Sequence, residues 1–112
     1  MRRLFWLGFL FLLGACYPQK GPGGGSAEPC PEVIKIQGFA FSPDRCFVTA
    51  GTSLRFQNLD SAPHTATAEG GSFDTGTLNM GDTSNPVVLN QPGSYGYFCR
   101  IHSSMRGVIE VR

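Results

Sequence analysis

Apolar and polar residues alternate along this chain in short runs, and no stretch holds a 3.6-residue period over the length of a helix. In "VIKIQ", Ile34 and Ile36 share one face, with Lys35 and Gln37 opposite. In "SLRFQN", Leu54 and Phe56 point one way and Arg55 and Gln57 the other. "SYGYFC" aligns Tyr95, Tyr97 and Cys99, and "GVIEVR" is a further strand whose inward face the pattern leaves open. Turn signals separate these runs: Ser42-Pro43-Asp44, Ala50-Gly51, Asp60 to Pro63, Gly70-Gly71, Gly81-Asp82 and Gln91-Pro92-Gly93. A period of two buries one face of a strand and needs a second sheet to cover it. The spacing therefore predicts an all-β fold, an antiparallel Greek-key β-sandwich or barrel of about seven to eight strands. The 15 glycines and 8 prolines suit so many turns.

The first residues, "MRRLFWLGFLFLLGAC", are built differently. Arg2 and Arg3 precede an apolar run from Leu4 to Ala15. That run is shorter than the ~20 residues a membrane-spanning helix needs, and it fits the core of a secretory signal. Leu13-Gly14-Ala15-Cys16 resembles the bacterial lipobox, which implies a signal over residues 1–15 and lipidation of Cys16. An ordinary signal cut nearby, or an uncleaved anchor, are the alternatives. "YPQKGPGGGSAEP", residues 17–29, is too rich in glycine and proline to build a packed element, so residues 16–29 read as a lipidated tether. The folded domain is expected over residues 30–112. A domain this small gains from a disulfide or a metal.

The chemistry concentrates in "YGYFCRIHSSMRG". Cys99, His102 and Met105 are spaced three apart where one strand ends and the next begins. A loop curled about a point can aim all three inward. The second histidine of the chain, His64, lies in "NLDSAPHTATA", just after another strand. Loops at one end of a sandwich can meet, and these would offer one thiolate, two imidazoles and one thioether. Two histidines, one cysteine and an axial methionine are the blue-copper donor set. Zinc sites rarely use methionine, haem attachment needs a CxxCH that is absent, and iron–sulfur clusters need more cysteines. Taken singly, Cys99 could be a buried thiol, His64 a turn residue and Met105 core padding. Taken together, the spacing and the matching upstream loop favour one type 1 copper ion bound by His64, Cys99, His102 and Met105.

These residues resemble the cupredoxins, especially the plastocyanin and amicyanin group. The matching segments are "FAFSP" at 39–43, "VTAGTSLRFQNLDSAPHT" at 48–65, "GSFDTG" at 71–76 and "PGSYGYFCRIHSSMRGVIEV" at 92–111. The compact Cys-x2-His-x2-Met loop is like that of amicyanin. The resemblance implies a cupredoxin fold, the same four ligands, and His102 as the ligand whose edge reaches the surface. Thr65 departs from the family, several members of which have Asn after the first histidine to link the ligand loops. With Cys16 and Cys99 assigned, Cys30 and Cys46 remain, and in an exported protein two spare thiols are a candidate disulfide. Against that pairing, Cys46 stands where the family usually has an inward aliphatic residue, and the simplest hairpin register separates it from Cys30.

The implied function is single-electron transfer by a membrane-tethered blue copper protein. Partners would be redox proteins, membrane-associated, meeting an apolar collar of Ala62, Pro63, Ile101 and Met105 around His102. Arg100 and Arg106 flank the loop and would favour an acidic partner. The chain is expected to be a monomer. It is expected on the extracytoplasmic side of a bacterial membrane, anchored through Cys16. A formal charge of +1 gives no reason to expect nucleic acid. Copper capture or delivery is the alternative, although the Met-rich or His-rich tracts usual for it are absent. No enzyme activity is expected, because copper oxidases and nitrite reductases need further histidines that this chain lacks.

Overall fold

The computed structural model describes residues 27–112. The signal segment, Cys16 and most of the tether lie outside the described residues. The domain is made of β1 (Glu28–Pro29), β2 (Val33–Ile36), β3 (Phe41–Ser42), β4 (Arg45–Val48), β5 (Ser53–Asn58), β6 (Thr67–Ala68), β7 (Val87–Val88), β8 (Gly93–Phe98) and β9 (Arg106–Val111). They form a five-stranded sheet, β1-β4-β9-β8-β6, and a four-stranded sheet, β3-β2-β5-β7. Among the described residues no helix is present that is long and apolar enough to cross a membrane.

Alternation placed the faces well. Ile34, Ile36, Leu54 and Phe56 are buried from one sheet. Tyr97, Cys99, Ile109 and Val111 are buried from the other and its following loop, which resolves the face of β9. Four aromatic rings hold the centre of the sandwich: Tyr97 lies 4.7 Å from Phe41, 5.4 Å from Phe56 and 5.8 Å from Phe73, centroid to centroid. Such edge-on contacts add to the free energy of the area they bury.

The sandwich is there, but its sheets are mixed rather than wholly antiparallel. β1 with β4, β2 with β5 and β4 with β9 run parallel. Alternation reports which way side chains point and carries no information on strand direction, so this was not legible locally. The parallel β1–β4 ladder also bears on the cysteines. It pairs Glu28 with Cys46 and Pro29 with Phe47, and the Cys30 N–H donates to the Phe47 carbonyl at 2.8 Å. The Cα atoms of Cys30 and Cys46 are thereby 4.8 Å apart, and the two are joined as a disulfide. The hairpin that would have separated them does not form. β1 also starts at Glu28, inside the stretch expected to be tether, so the sheet takes up chain before Cys30.

Candidate metal centre

The register of one ladder brings the two candidate loops together. β6 runs antiparallel to β8 with Thr67 opposite Phe98 and Ala68 opposite Tyr97. Continuing that pairing past the strand ends sets Ala66 opposite Cys99 and Thr65 opposite Arg100, with His64 the next residue along. Two hydrogen bonds confirm the juxtaposition: the Thr65 N–H donates to Cys99 Sγ at 3.4 Å, and the Arg100 N–H donates to Thr65 Oγ1 at 2.9 Å. Thr65 thus links the two loops with its hydroxyl, at the position where several family members carry Asn.

The 99–105 loop closes on itself. The Cys99 N–H donates to the Met105 carbonyl at 3.1 Å, and the Met105 N–H donates to the His102 carbonyl at 2.9 Å. Those bonds coil the backbone tightly enough to gather three side chains spaced three apart. Cys99 and Met105 are buried, and His102 is half-buried.

His64 is held at both ends. Its backbone exchanges hydrogen bonds with Leu78 at 3.0 and 2.7 Å. Its ring is fully buried, with Nε2 2.9 Å from Asp60 Oδ2. A carboxylate accepts, so Nε2 carries the hydrogen and Nδ1 is left with its lone pair. Nδ1 faces Cys99 Sγ at 3.8 Å. Two metal–ligand bonds of about 2.0 and 2.3 Å meeting at a trigonal angle would span about 3.7 Å, so one ion fits between these donors. The rings of His64 and His102 lie 5.1 Å apart. His102 Nε2 is buried with no hydrogen-bond partner, the condition expected of an imidazole whose partner is an ion. Among the described residues no three His, Cys, Asp or Glu side chains are drawn into a finished cage. His64 and Cys99 make the close pair, His102 lies against His64, and Met105 is buried at the end of the same loop.

The other candidate residues sit at this end. Ile101 and Pro63 are exposed, and Ala62 is half-buried. Arg100 and Arg106 flank the loop, but each faces a carboxylate: Arg100 lies 3.2 Å from Asp74, and Arg106 pairs with Glu69. Their charges are therefore locally balanced.

Asn58, Asp60 and Phe39 also belong to this end of the domain, although the sequence pattern marks Asp60 only as a turn residue, Phe39 only as part of a family segment, and Asn58 as the end of a strand. Asn58 is fully buried at the end of β5; its Nδ2 donates to the Ala62 and Leu78 carbonyls, both at 2.8 Å, and its Oδ1 accepts the Asp60 N–H at 2.9 Å. It continues the inward parity of Leu54 and Phe56, which was the available signal. Asn58→Ala should lower unfolding free energy by about 1–3 kcal/mol, because it leaves the Ala62 carbonyl and the Asp60 N–H without these partners and takes one of two donors from the Leu78 carbonyl, which keeps the His64 N–H. It should also loosen His64; urea melts of the metal-free protein check the first effect and metal affinity the second.

Asp60 is held below the usual carboxylate range, chiefly by the Phe39 N–H; burial opposes, and the Gly38 N–H and His64 reinforce the lowering. At Asp74, burial favours the neutral acid, but the Gly76 N–H, the Thr67 hydroxyl and Arg100 outweigh it and hold that carboxyl low too. A depressed folded value stabilises the fold above the ordinary carboxylate pKa, about 4, and the gain disappears as pH falls through the folded value. Asp74→Asn should therefore lower the melting temperature at neutral pH and match wild type in strong acid. Thermal melts across that range test it.

A β-sandwich with a sulfur and nitrogen donor cluster between two end loops defines a small metal-site domain. The chain belongs to the cupredoxin-like family: the model for the cupredoxin-like domain matches residues 5–111. It is 25% identical to amicyanin-alpha of Methylorubrum extorquens over 97 residues, covering 83% of this chain and 76% of that protein. Among solved structures it resembles a purple cupredoxin from Nitrosopumilus maritimus, at 25% identity and TM-score 0.65, over 73% of this chain and all of that one. It also resembles a copper-containing nitrite reductase from Thermus scotoductus, at 27% identity and TM-score 0.67, over 83% of this chain. The chain spans only 25% of the reductase's length. A reduced amicyanin variant shares the fold at 20% identity and TM-score 0.66, over 71% of this chain and 80% of that one.

Proposed function

We propose that this protein carries single electrons between redox partners through one type 1 copper ion held by His64, Cys99, His102 and Met105. The observation that carries the reading is the approach of His64 Nδ1 to Cys99 Sγ, 3.8 Å apart inside a buried space. A bound copper ion would supply the Cu(II)/Cu(I) couple, taking up one electron and giving up one. Everything else is done by the chain. Asp60 fixes the His64 tautomer, and the Thr65 N–H draws electron density from the Cys99 sulfur. The closed 99–105 loop keeps three donors in place, so little must move when charge arrives. Burial of Cys99, His64 and Met105 opposes ready release of metal, which supports a carrier over a delivery protein.

A tether ending at lipidated Cys16 would hold the domain on the extracytoplasmic side of a bacterial membrane. Membrane-associated redox partners would then be found by search in two dimensions. Fatty-acyl labelling of the full chain, absent in Cys16→Ser, tests that arrangement.

Adding Cu(II) should give an intense thiolate-to-copper absorption in the visible. A colourless or faintly blue product overturns the assignment. Met105→Leu should keep the band and raise the reduction potential, because the thioether that helps stabilise Cu(II) is gone. Redox titration against wild type reads that shift, and an unchanged potential removes Met105 from the site.

A further inference from the structure

Phe39 combines three features: a positive φ in a tight turn, exposure, and contact with both histidines. It sits in the two-residue turn between β2 and β3, where Gly38 has φ 66° and Phe39 has φ 56°. The Gln37 N–H closes that turn on the Ala40 carbonyl at 3.0 Å. Positive φ at both central positions suits a tight hairpin, but a bulky residue there costs about 1–2 kcal/mol. The residue is 51% exposed. Yet the ring stands edge-on to both histidines, 5.0 Å from His64 and 4.9 Å from His102. A strained, half-exposed aromatic beside one buried and one half-buried imidazole calls for something that holds it there.

Asp60 does so. Its Oδ1 accepts the Gly38 N–H at 2.8 Å, and its Oδ2 accepts the Phe39 N–H at 2.9 Å and the His64 Nε2–H at 2.9 Å. One carboxylate therefore ties the turn that carries Phe39 to the imidazole beneath it. We infer that Asp60 is a positioning residue that sets His64 and the Phe39 turn as a single unit, and that Phe39 shields the donor site from water and small anions. The shielding rests on the reading of His64 and His102 as metal ligands; the tie through Asp60 does not.

Two measurements test this. The first uses copper-loaded full-length protein with azide as the probe. Phe39→Gly relieves the backbone cost at positive φ while removing the ring, so it should fold as wild type does by circular dichroism. Its visible band should respond to azide at about tenfold lower concentration than wild type, with Phe39→Leu in between. A structural role alone predicts no change in the azide response, and azide resistance equal to wild type with the band intact overturns the shield. Absence of the band from wild type itself would instead overturn the copper reading, and the shield with it. The second uses metal-free protein. In Asp60→Asn the Gly38 and Phe39 amides should exchange about tenfold faster or more, and the His64 Nε2–H should lose its protection. Unchanged exchange at all three sites overturns the role of Asp60, whatever the copper experiment shows.

Discussion

Cys99→Ser is expected to abolish the intense visible band of the copper-loaded protein and to weaken copper binding by more than the ~10–100-fold that loss of a supporting hydrogen bond costs a metal site. Cys99 is fully buried, and its sulfur is the donor on which the other elements converge. The Thr65 N–H points at it, and His64 Nδ1 faces it across 3.8 Å. A serine oxygen is hard where copper in this setting wants a soft anion, and a hydroxyl keeps its proton at neutral pH where a thiol beside a metal loses it. The substitution is nearly isosteric and the Thr65 N–H can still donate to the new oxygen. The metal-free fold should therefore lose no more than about 1–2 kcal/mol. Absorption spectra and copper titration of a variant shown to be folded separate the two effects. An intense band that survives would remove Cys99 from the site.

Gly107→Ala is expected to destabilise the domain by about 1–3 kcal/mol or more, the range for overpacking a well-filled core. Gly107 faces Tyr97 across the β8–β9 ladder. A methyl group at Gly107 would press into Cζ and Cε1 of the Tyr97 ring and its hydroxyl oxygen, closer than real contacts allow. The ring has nowhere to go, because Phe41, Phe56 and Phe73 surround it. Tyr97 precedes Cys99 by two residues on the same face, so any backbone shift that relieves the clash should also disturb the donor. Urea denaturation measures the first effect, and the visible band of the copper-loaded variant the second. Tyr97→Phe is the control: its buried hydroxyl has no hydrogen-bond partner, so its removal should cost little. A Gly107→Ala protein as stable as wild type would mean that Tyr97 is not wedged as described.

The candidate donors of the 99–105 loop stand out in sequence because of their spacing. Cys99, His102 and Met105 belong to one short loop, and local chain geometry is enough to gather them. The approach of His64 to Cys99 and His102 requires two loops to meet at one end of the sandwich. The β6–β8 register supplies that meeting. Asp60 and Asn58 were harder to find. A carboxylate four residues before a histidine, or an amide at the end of a strand, is ordinary in sequence. Each acquires its role only through partners elsewhere in the chain, at Gly38 and Phe39 for Asp60 and at Leu78 for Asn58. Arg100 and Arg106 teach the converse. Beside the loop they look like free positive charge, but Asp74 and Glu69 stand opposite them in space.

The amino-acid order by itself determined which side of each strand is buried and which donors one loop can present, since both follow from local periodicity and the pitch of the backbone. Tertiary structure alone decided strand direction, the pairing of Cys30 with Cys46, and the tie between Asp60, Phe39 and His64. Those depend on contacts between segments far apart in the chain, where the free energy of packing two whole faces together selects one arrangement among many that local sequence permits equally.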